Sequence, residues 1–157
     1  MDQALVKTII TYGTFDMFHV GHLNLLKRLS EMADRVVVAV STDEFNLGKG
    51  KKTLIPYDQR AAIVASIKYV DLVIPEVSWE QKLSDVREHG VDIFAIGDDW
   101  KGKFDFLSEL CEVVYLERTH NISTTMLKKS LTRFLSIPHD DLINAFEVLE
   151  MLRRDLE

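Results

Sequence analysis

VKTIITYGTFDMFHVGHLNLLKRLSEM, residues 6–32, contains the strand, the turn and the helix that decide the fold. Residues 6–12 form an apolar and β-branched run, which predicts a strand. Residues 21–32 repeat apolar side chains with a period near 3.6, which predicts a helix. The polar turn between them contains a glycine and two histidines. This stretch is therefore the first unit of a β/α alternation.

The alternation continues along most of the chain. Further strands are predicted at residues 35–41, 72–74, 93–96 and 113–116, and further helices at 57–68, 79–89, 104–110 and 123–135. The run 36–40 shows no polar alternation, so helices are expected to cover both of its faces, as in a parallel sheet. The sequence therefore predicts an α/β fold with an open, doubly wound parallel sheet.

A separate amphipathic pattern follows Pro138 and predicts a C-terminal helical extension. Its apolar residues, at helical spacing, are Leu142, Ala145, Phe146, Leu149, Leu152 and Leu156. Two alternatives stay open for this helix, namely packing on the same domain and contact with a subunit or partner. We divide the chain into a domain of residues 1–131 and an extension of residues 132–157.

Composition excludes several classes of protein. With 157 residues and 46% hydrophobic content, the chain suits one α/β domain with an extension. A net charge of -6 argues against binding to nucleic acid or an anionic membrane through the overall field. The single cysteine, Cys111, excludes an internal disulfide, and no apolar run is long enough for a membrane span. We expect a cytoplasmic protein.

The turn His19-Val20-Gly21-His22 is the first candidate site. A helix that starts after a strand presents unpaired backbone N–H groups and a positive dipole end, which together bind anions. Two imidazoles there suit a phosphate chain that gains negative charge during a reaction. The alternatives are a pair of capping or core histidines, or a histidine metal site. Asp16 is predicted to help hold Mg²⁺, which prefers oxygen ligands.

A lysine cluster in the loop after the second strand is the second candidate. Lys49, Lys51 and Lys52 are concentrated in an otherwise acidic chain, on the sheet edge that carries the histidine turn. Lysine side chains there can reach a polyphosphate or a phosphorylated substrate, although such runs are commonly only solvated. Arg60 could complete a phosphate clamp, or be exposed or ion-paired.

Two later segments add polar groups at strand ends. Asp98 and Asp99 follow the fourth strand, where carboxylates can bind ribose hydroxyls or a metal. Arg118 and Thr119 precede Ile122, Ser123, Thr124 and Thr125 at the start of a helix, and their donors predict a second anion site. The sequence has no P-loop, no Gly-x-Gly-x-x-Gly turn and no Gly-x-Ser-x-Gly elbow, which excludes the kinase, dehydrogenase and esterase classes that use them.

Together these motifs resemble the cytidylyltransferase group of the His-x-Gly-His nucleotidylyltransferase superfamily. The resemblance covers about residues 8–129 and includes STDEFNL at 41–47, YVDLVIPE at 69–76, WEQK at 79–82 and GDDWKGKFDFL at 97–107. It implies a Rossmann-like fold, Mg²⁺ as cofactor, a homodimer, and transfer of CMP from CTP to sn-glycerol 3-phosphate. Another phospho-alcohol, AMP transfer from ATP, and a non-catalytic nucleotide-binding module are the alternatives. The product would feed a polymer such as teichoic acid or a capsule.

The resemblance and the residue patterns together assign the site. Catalytic roles fall to His19, His22, Lys49, Lys51 and Arg118. The residues predicted to bind CTP are Thr14, Phe15, His19, Val20, Gly21, His22, Lys51, Asp99, Arg118, Thr119, Ile122, Ser123, Thr124 and Thr125. Those predicted to bind the phosphorylated alcohol are Lys49, Lys82, Arg60 and Trp79.

Two positions depart from the family pattern. His120 and Asn121 replace a Glu-Gly pair, and asparagine is the residue after glycine that best tolerates a left-handed backbone, so the turn is expected to form. Lys68 stands where the family has an arginine.

Overall fold

The fold comes from a computed structural model that describes residues 6–156. The strands are β1 (Thr8–Gly13), β2 (Arg35–Ser41), β3 (Leu72–Glu76), β4 (Ile93–Gly97) and β5 (Glu112–Leu116). The helices are α1 (Val20–Met32), α2 (Asp43–Gly48), α3 (Tyr57–Ala65), α4 (Gln81–Glu88), α5 (Thr124–Leu135) and α6 (His139–Arg154). Short 3₁₀ turns cover Asp98–Trp100 and Asp105–Glu109.

The strands form one parallel sheet in the order β3-β2-β1-β4-β5. Alternate residues of β1 enter two different cores, with Ile9 in one and Ile10 in the other. Val36 and Val37 of β2 divide between the same two cores. Both faces of the sheet are therefore covered, and the predicted α/β fold with a doubly wound parallel sheet is confirmed.

The structure differs from the sequence prediction in two local elements. Residues 43–48, which belong to the loop predicted after the second strand, form α2, whose N-cap Thr42 accepts the N–H of Phe45 through its side chain at 3.2 Å. This helix has only six residues and ends at a glycine, so it carries too little periodicity to be recognised. The helix predicted at 104–110 is instead the 3₁₀ turn Asp105–Glu109.

The chain divides into two compact units, one up to Ile122 and one from Ser123. The second contains α5 and α6, and the domain boundary predicted at residues 131 and 132 lies within α5. None of the described side chains of these two helices is buried. Within residues 6–156, no helix is long and apolar enough to cross a membrane.

Candidate active site

The sheet order places a crevice at the carboxyl ends of the central strands. β1 lies between β2 and β4, and the chain moves outward from β1 in both directions, first to β2 and β3 and later to β4 and β5. In open α/β sheets, ligands bind at this switch in strand order. The loops after the strands contain most of the residues singled out in the sequence.

The turn between β1 and α1 has an unusual backbone. Phe15 and Met17 have φ angles of 54° and 51°, which residues other than glycine rarely adopt. A Cβ on Gly13 would lie 2.8 Å from the ring of Phe15, so only glycine permits this close packing. Because the side chain of Phe15 is buried in the core, any contact with a nucleotide is left to its backbone. Backbone strain of this kind is typical of functional loops.

His19 and His22 form a capping box at the start of α1. The backbone N–H of Gly21 donates to Nδ1 of His19 at 3.0 Å, and the N–H of His19 donates to Nδ1 of His22 at 3.3 Å. The two rings stack with centroids 3.9 Å apart. The alternative of capping histidines is therefore correct as a description of the geometry, and it leaves a catalytic role open.

The surroundings of the histidines keep them neutral. Burial lowers the pKa of His22 to about 4, with a further lowering by His19 and an opposing effect of Asp16. The rings of Phe15 and Phe18 supply part of that burial, with centroids 5.3 and 5.4 Å from His22. Burial also lowers the pKa of His19. Since each Nδ1 accepts an N–H, each neutral ring has its proton on Nε2 and is a hydrogen-bond donor there.

Asp16 anchors the loop that follows α2. Its buried carboxylate accepts the N–H of Leu54 at 2.9 Å and the N–H of Ile55 at 3.0 Å, one at each oxygen. Among residues 6–156, no group of three or more His, Cys, Asp or Glu is arranged to hold a metal ion. Asp16 therefore anchors this loop, and its role as a magnesium ligand stays a prediction.

Arg60 contacts groups of the protein instead of lying open to the predicted phosphate. Its side chain is fully buried at 0% exposure. Its guanidinium donates to the carbonyls of Thr14 at 2.5 Å, Ser41 at 2.9 Å and Ile55 at 2.8 Å, and to the carboxylate of Asp43 at 2.6 Å. These donors are therefore engaged by the protein itself. Arg60 fastens the loops after β1 and β2 to α3.

Lys49 and Lys82 converge on one buried carboxylate. Nζ of Lys82 lies 2.7 Å from Oε1 of Glu76, and Nζ of Lys49 lies 3.5 Å from Oε2. The hydroxyl of Ser41 donates to Oε2 of Glu76 and accepts from Lys49 at 3.1 Å. The register of β2 and β3 places Ser41 opposite Glu76 and so builds the centre of this cluster.

Aromatic rings surround the two ammonium groups. Nζ of Lys82 lies 4.4 Å from the ring centroid of Tyr12 and 4.8 Å from that of Trp79. Nζ of Lys49 lies 4.1 Å from the centroid of Phe45 and 5.5 Å from that of Trp79. The structure thus brings Lys49, Lys82 and Trp79, all predicted to bind the phosphorylated alcohol, into one cationic pocket.

Lys51 lies near this pocket, and a second tryptophan, Trp100, connects the two. Its Nζ is 5.9 Å from the ring centroid of Trp100, and the rings of Trp100 and Trp79 are 5.5 Å apart. Burial lowers the pKa of Lys49, and the neighbouring charges of Lys51 and Lys82 lower it further, while Glu76 raises it. The three lysines therefore share one electrostatic environment.

Arg118 and Asp99, both predicted to bind CTP, pair with each other. Their ion pair joins the segments after β4 and β5, and both side chains are at least half exposed. Nearby, Oγ1 of Thr119 accepts from the side chain of Asn24 at 3.4 Å. Asn121 has a φ of 63°, which confirms the predicted left-handed turn. These residues lie at the carboxyl edge of β4 and β5.

The remaining predicted CTP ligands are divided between the two units. A Cβ on Gly21 would lie 3.3 Å from Cγ2 of Ile122, so Ile122 is next to the histidine turn. Ser123 is the N-cap of α5 and accepts the N–H of Met126 through its hydroxyl at 3.2 Å. Thr124 and Thr125 form the first turn of that helix. Their contact with CTP stays a prediction.

The sequence prediction gives no role to two residues of the site, Glu76 and Asn46. Glu76 is a buried carboxylate at the end of an apolar strand, a position that marks a site in a parallel sheet. Asn46 is fully buried in α2, where Oδ1 accepts from Thr14 at 3.0 Å and Nδ2 donates to the carbonyl of Ser41. It was missed because α2 was not predicted.

Comparison with known proteins identifies a matching family, two similar enzymes and one similar solved structure. Residues 10–130 match the Cytidylyltransferase-like family model. The chain is 56% identical over 126 residues to the glycerol-3-phosphate cytidylyltransferase of Bacillus spizizenii, covering 80% of this chain and 98% of that protein. It is 55% identical to that of Staphylococcus aureus, covering 80% and 96%. The lipopolysaccharide core biosynthesis protein from Thermoplasma volcanium superposes with a TM-score of 0.66 at 25% identity, covering 73% of this chain and 98% of that one.

Proposed function

The chain belongs to the cytidylyltransferase-like family, and on that premise we propose that it transfers CMP from CTP to sn-glycerol 3-phosphate. The products are CDP-glycerol and pyrophosphate. Relatives at 55% and 56% identity, matched over nearly their whole length, carry the name of this activity. That similarity favours glycerol 3-phosphate over another phospho-alcohol and CTP over ATP.

The observation that carries the proposal is that two clusters of donors suited to phosphate, the histidine pair and the lysine pair, follow strands at the same edge of the sheet. The neutral histidines at the start of α1 suit the triphosphate of the nucleotide. The pocket of Lys49 and Lys82 suits a second, separate phosphate. A nucleotidyl transfer to a phosphorylated alcohol needs both.

The reaction that fits this arrangement is a direct displacement. A phosphate oxygen of glycerol 3-phosphate attacks the α-phosphorus of CTP, and the bond from that phosphorus to the bridging oxygen of pyrophosphate breaks. Catalysis then rests on positioning and on donors aimed at the growing negative charge. His19 and His22 donate from Nε2 to triphosphate oxygens, and Lys49 and Lys82 hold the attacking phosphate.

The rest of the nucleotide site belongs to the segments after β4 and β5. We assign Lys51 and Arg118 to triphosphate charge and Asp99 to the nucleoside. Thr119 and Ile122 lie on the same side as the histidine turn. Because Arg118 and Asp99 pair with each other in this structure, CTP binding would separate or reorient them.

Magnesium is proposed to arrive with the nucleotide. Mg²⁺ is commonly bound through substrate phosphates and water with one or two carboxylates, and it would neutralise part of the triphosphate charge. We assign the ion chiefly to the phosphates of CTP, with Asp16 as the predicted carboxylate ligand.

The decisive experiment is a pyrophosphate-release assay with product identification. The protein is incubated with Mg²⁺, with CTP or ATP, and with a panel of phospho-alcohols that includes glycerol 3-phosphate. We expect turnover with CTP and glycerol 3-phosphate. Turnover only with ATP would overturn the cytidylyl assignment, and no turnover with any pair would leave a non-catalytic nucleotide-binding module.

We also propose a cytoplasmic homodimer whose product feeds a glycerol-phosphate polymer such as teichoic acid or a capsule. The exposed apolar side chains of α6 support a subunit contact, since Phe146, Leu149 and Leu152 are 68%, 62% and 54% exposed. α6 also lies beyond the family match, which ends at residue 130. It would therefore add to assembly rather than to chemistry.

A further inference from the structure

Glu76 has a position that the binding of substrate by the two lysines does not by itself explain. Its side chain is 4% exposed and contacts the ammonium groups of both Lys49 and Lys82. A buried carboxylate in a phosphate pocket reduces the attraction for phosphate, because it has the same sign of charge. Its presence therefore needs a compensating reason.

Burial of the lysines supplies that reason. Lys82 is 1% exposed and Lys49 is only 12% exposed, and the surroundings of both are largely aromatic. Burial lowers the pKa of Lys49, the carboxylate of Glu76 raises it, and the nearby charge of Lys82 lowers it further. A neutral amine binds phosphate poorly. The pocket consequently needs a counter-charge between the two ammonium groups, and Glu76 lies in contact with both.

We propose that Glu76 is a positioning residue of the acceptor site, which supplies the counter-charge between Lys49 and Lys82 and directs both ammonium groups at one phosphate. One oxygen of its carboxylate serves each lysine, and Ser41 fixes the second oxygen from the neighbouring strand. The inference rests on the proposed function, since it assigns the two lysines to the phosphate of glycerol 3-phosphate.

The other titratable groups near the cluster are Tyr12, Asp85 and Lys51. The hydroxyl of Tyr12 donates to Asp85 at 2.6 Å, and burial raises the pKa of Tyr12, so it stays neutral. Asp85 also accepts from Gln81 at 2.9 Å. Lys51 adds positive charge from the side of Trp100. Glu76 is the carboxylate that contacts both lysines.

The test is the substitution Glu76→Gln, which keeps the size of the side chain and removes its charge. KM for glycerol 3-phosphate at pH 8 should rise on the order of 10- to 100-fold, while KM for CTP and the melting temperature change little. Lowering the pH to 6.5 should reduce that KM in the variant, because Lys49, whose pKa burial lowers, is then more fully protonated. In the wild type, KM for glycerol 3-phosphate should instead rise at pH 6.5. A phosphate monoester has a second pKa of about 6, so a larger share of the substrate then carries one negative charge instead of two.

Two controls separate a positioning role from a structural one. Glu80→Gln removes the same charge from an exposed side chain of the neighbouring segment and should leave both KM values unchanged. Glu76→Asp keeps the charge but is too short to reach both lysines, so it should give a smaller rise in KM for glycerol 3-phosphate.

Several outcomes would overturn the inference. An unchanged or lower KM for glycerol 3-phosphate would show that the carboxylate only competes with phosphate. A parallel loss of affinity for CTP and of thermal stability would show a purely structural role. Wild-type turnover is measured first, so a failure of the proposed function appears there. In that case, calorimetry with inorganic phosphate on the wild type, Glu76→Gln and Glu76→Asp still decides whether Glu76 supports the lysine pair.

Discussion

The imidazole rings of His19 and His22 stack with their centroids 3.9 Å apart, and each Nδ1 accepts a backbone N–H at the start of α1. The same nitrogen atoms that cap the helix therefore fix the rings with Nε2 as the donor. Protonation of Nδ1 would remove its hydrogen bond to the backbone. Helix capping and the supply of neutral donors to a triphosphate are thus coupled in one structural unit.

The first prediction separates capping from catalysis at His19. Asparagine is a good N-cap, so His19→Asn should keep the stability of α1, whereas His19→Ala should lose about 1 kcal/mol of unfolding free energy. Both variants lack the imidazole donor, and kcat should fall on the order of 10² to 10³ in each. Urea unfolding and steady-state kinetics measure the two effects. A loss of tenfold or less in His19→Asn would reduce His19 to a cap.

The second prediction concerns the pH dependence of stability. Burial lowers the pKa of His22 to about 4, while an unfolded histidine titrates near about 6.5. Between these values the unfolded chain binds more protons than the folded one, so stability falls as the pH falls through that window. The loss from His22 alone should approach roughly 3 kcal/mol at pH 4.

Urea unfolding between pH 7 and pH 4, compared for the wild type and His22→Gln, measures this contribution. The variant should show a shallower decline over the window, whatever its stability at pH 7. Asp43, whose pKa is lowered chiefly by hydrogen bonds from Tyr57 and Arg60 against the opposing effect of burial, contributes mainly below the window. Equal slopes for the two proteins would contradict the buried, neutral state of His22.

The third prediction tests the space around Gly21. A Cβ there would lie 2.8 Å from Cε1 and 2.9 Å from Nδ1 of His19, so Gly21→Ala must displace that ring. We expect kcat to fall at least about tenfold, because a small misplacement of a catalytic group is costly. Gly48→Ala is the matched control, since its Cβ would meet no described atom within 4 Å. Equal kcat for the two variants would show that His19 adjusts freely.

The sequence carried enough information for the sheet but not for its register. Continuous apolar runs such as Val36 to Val40 predicted the buried strands, and β-strand ends marked where polar residues would gather. The contact of Ser41 with Glu76 depends on how β2 and β3 align, which no local pattern in either strand specifies. The lysines of the cationic pocket could therefore be predicted from the sequence, whereas the carboxylate of Glu76 between them could not.

The local sequence predicted the left-handed backbone of Asn121 correctly, but it did not predict that Arg60 is buried. Asn121 adopts the left-handed conformation expected from its side chain. Arg60 lies at the start of α3, where composition alone allows an exposed cation as readily as a buried one. Only the assembled loops show that the carbonyls of Thr14, Ser41 and Ile55 surround its guanidinium.

The fourth prediction follows from that position of Arg60. Arg60→Lys keeps the charge but cannot make all four contacts, so the unfolding free energy should fall by about 3 kcal/mol or more. KM for both substrates should change much less. Arg28→Lys, at an exposed arginine that donates to the carbonyl of Glu117, is the control and should change stability by about 0.5 kcal/mol or less. A raised KM with unchanged stability would support the phosphate contact of Arg60 that the sequence predicts.

The last prediction concerns assembly through α6. Leu149 and Leu152 lie on one face of this helix and are more than half exposed, at 62% and 54%. If a second copy of the chain covers that face, Leu149→Glu places a charge in an apolar contact, and the oligomer should dissociate to monomer. Light scattering after size-exclusion chromatography measures the mass in solution. Glu150→Gln changes a polar neighbour on the same helix and should leave the mass unchanged. A dimer that persists in Leu149→Glu, and also after removal of residues 140–157, would show that α6 does not hold the subunits together.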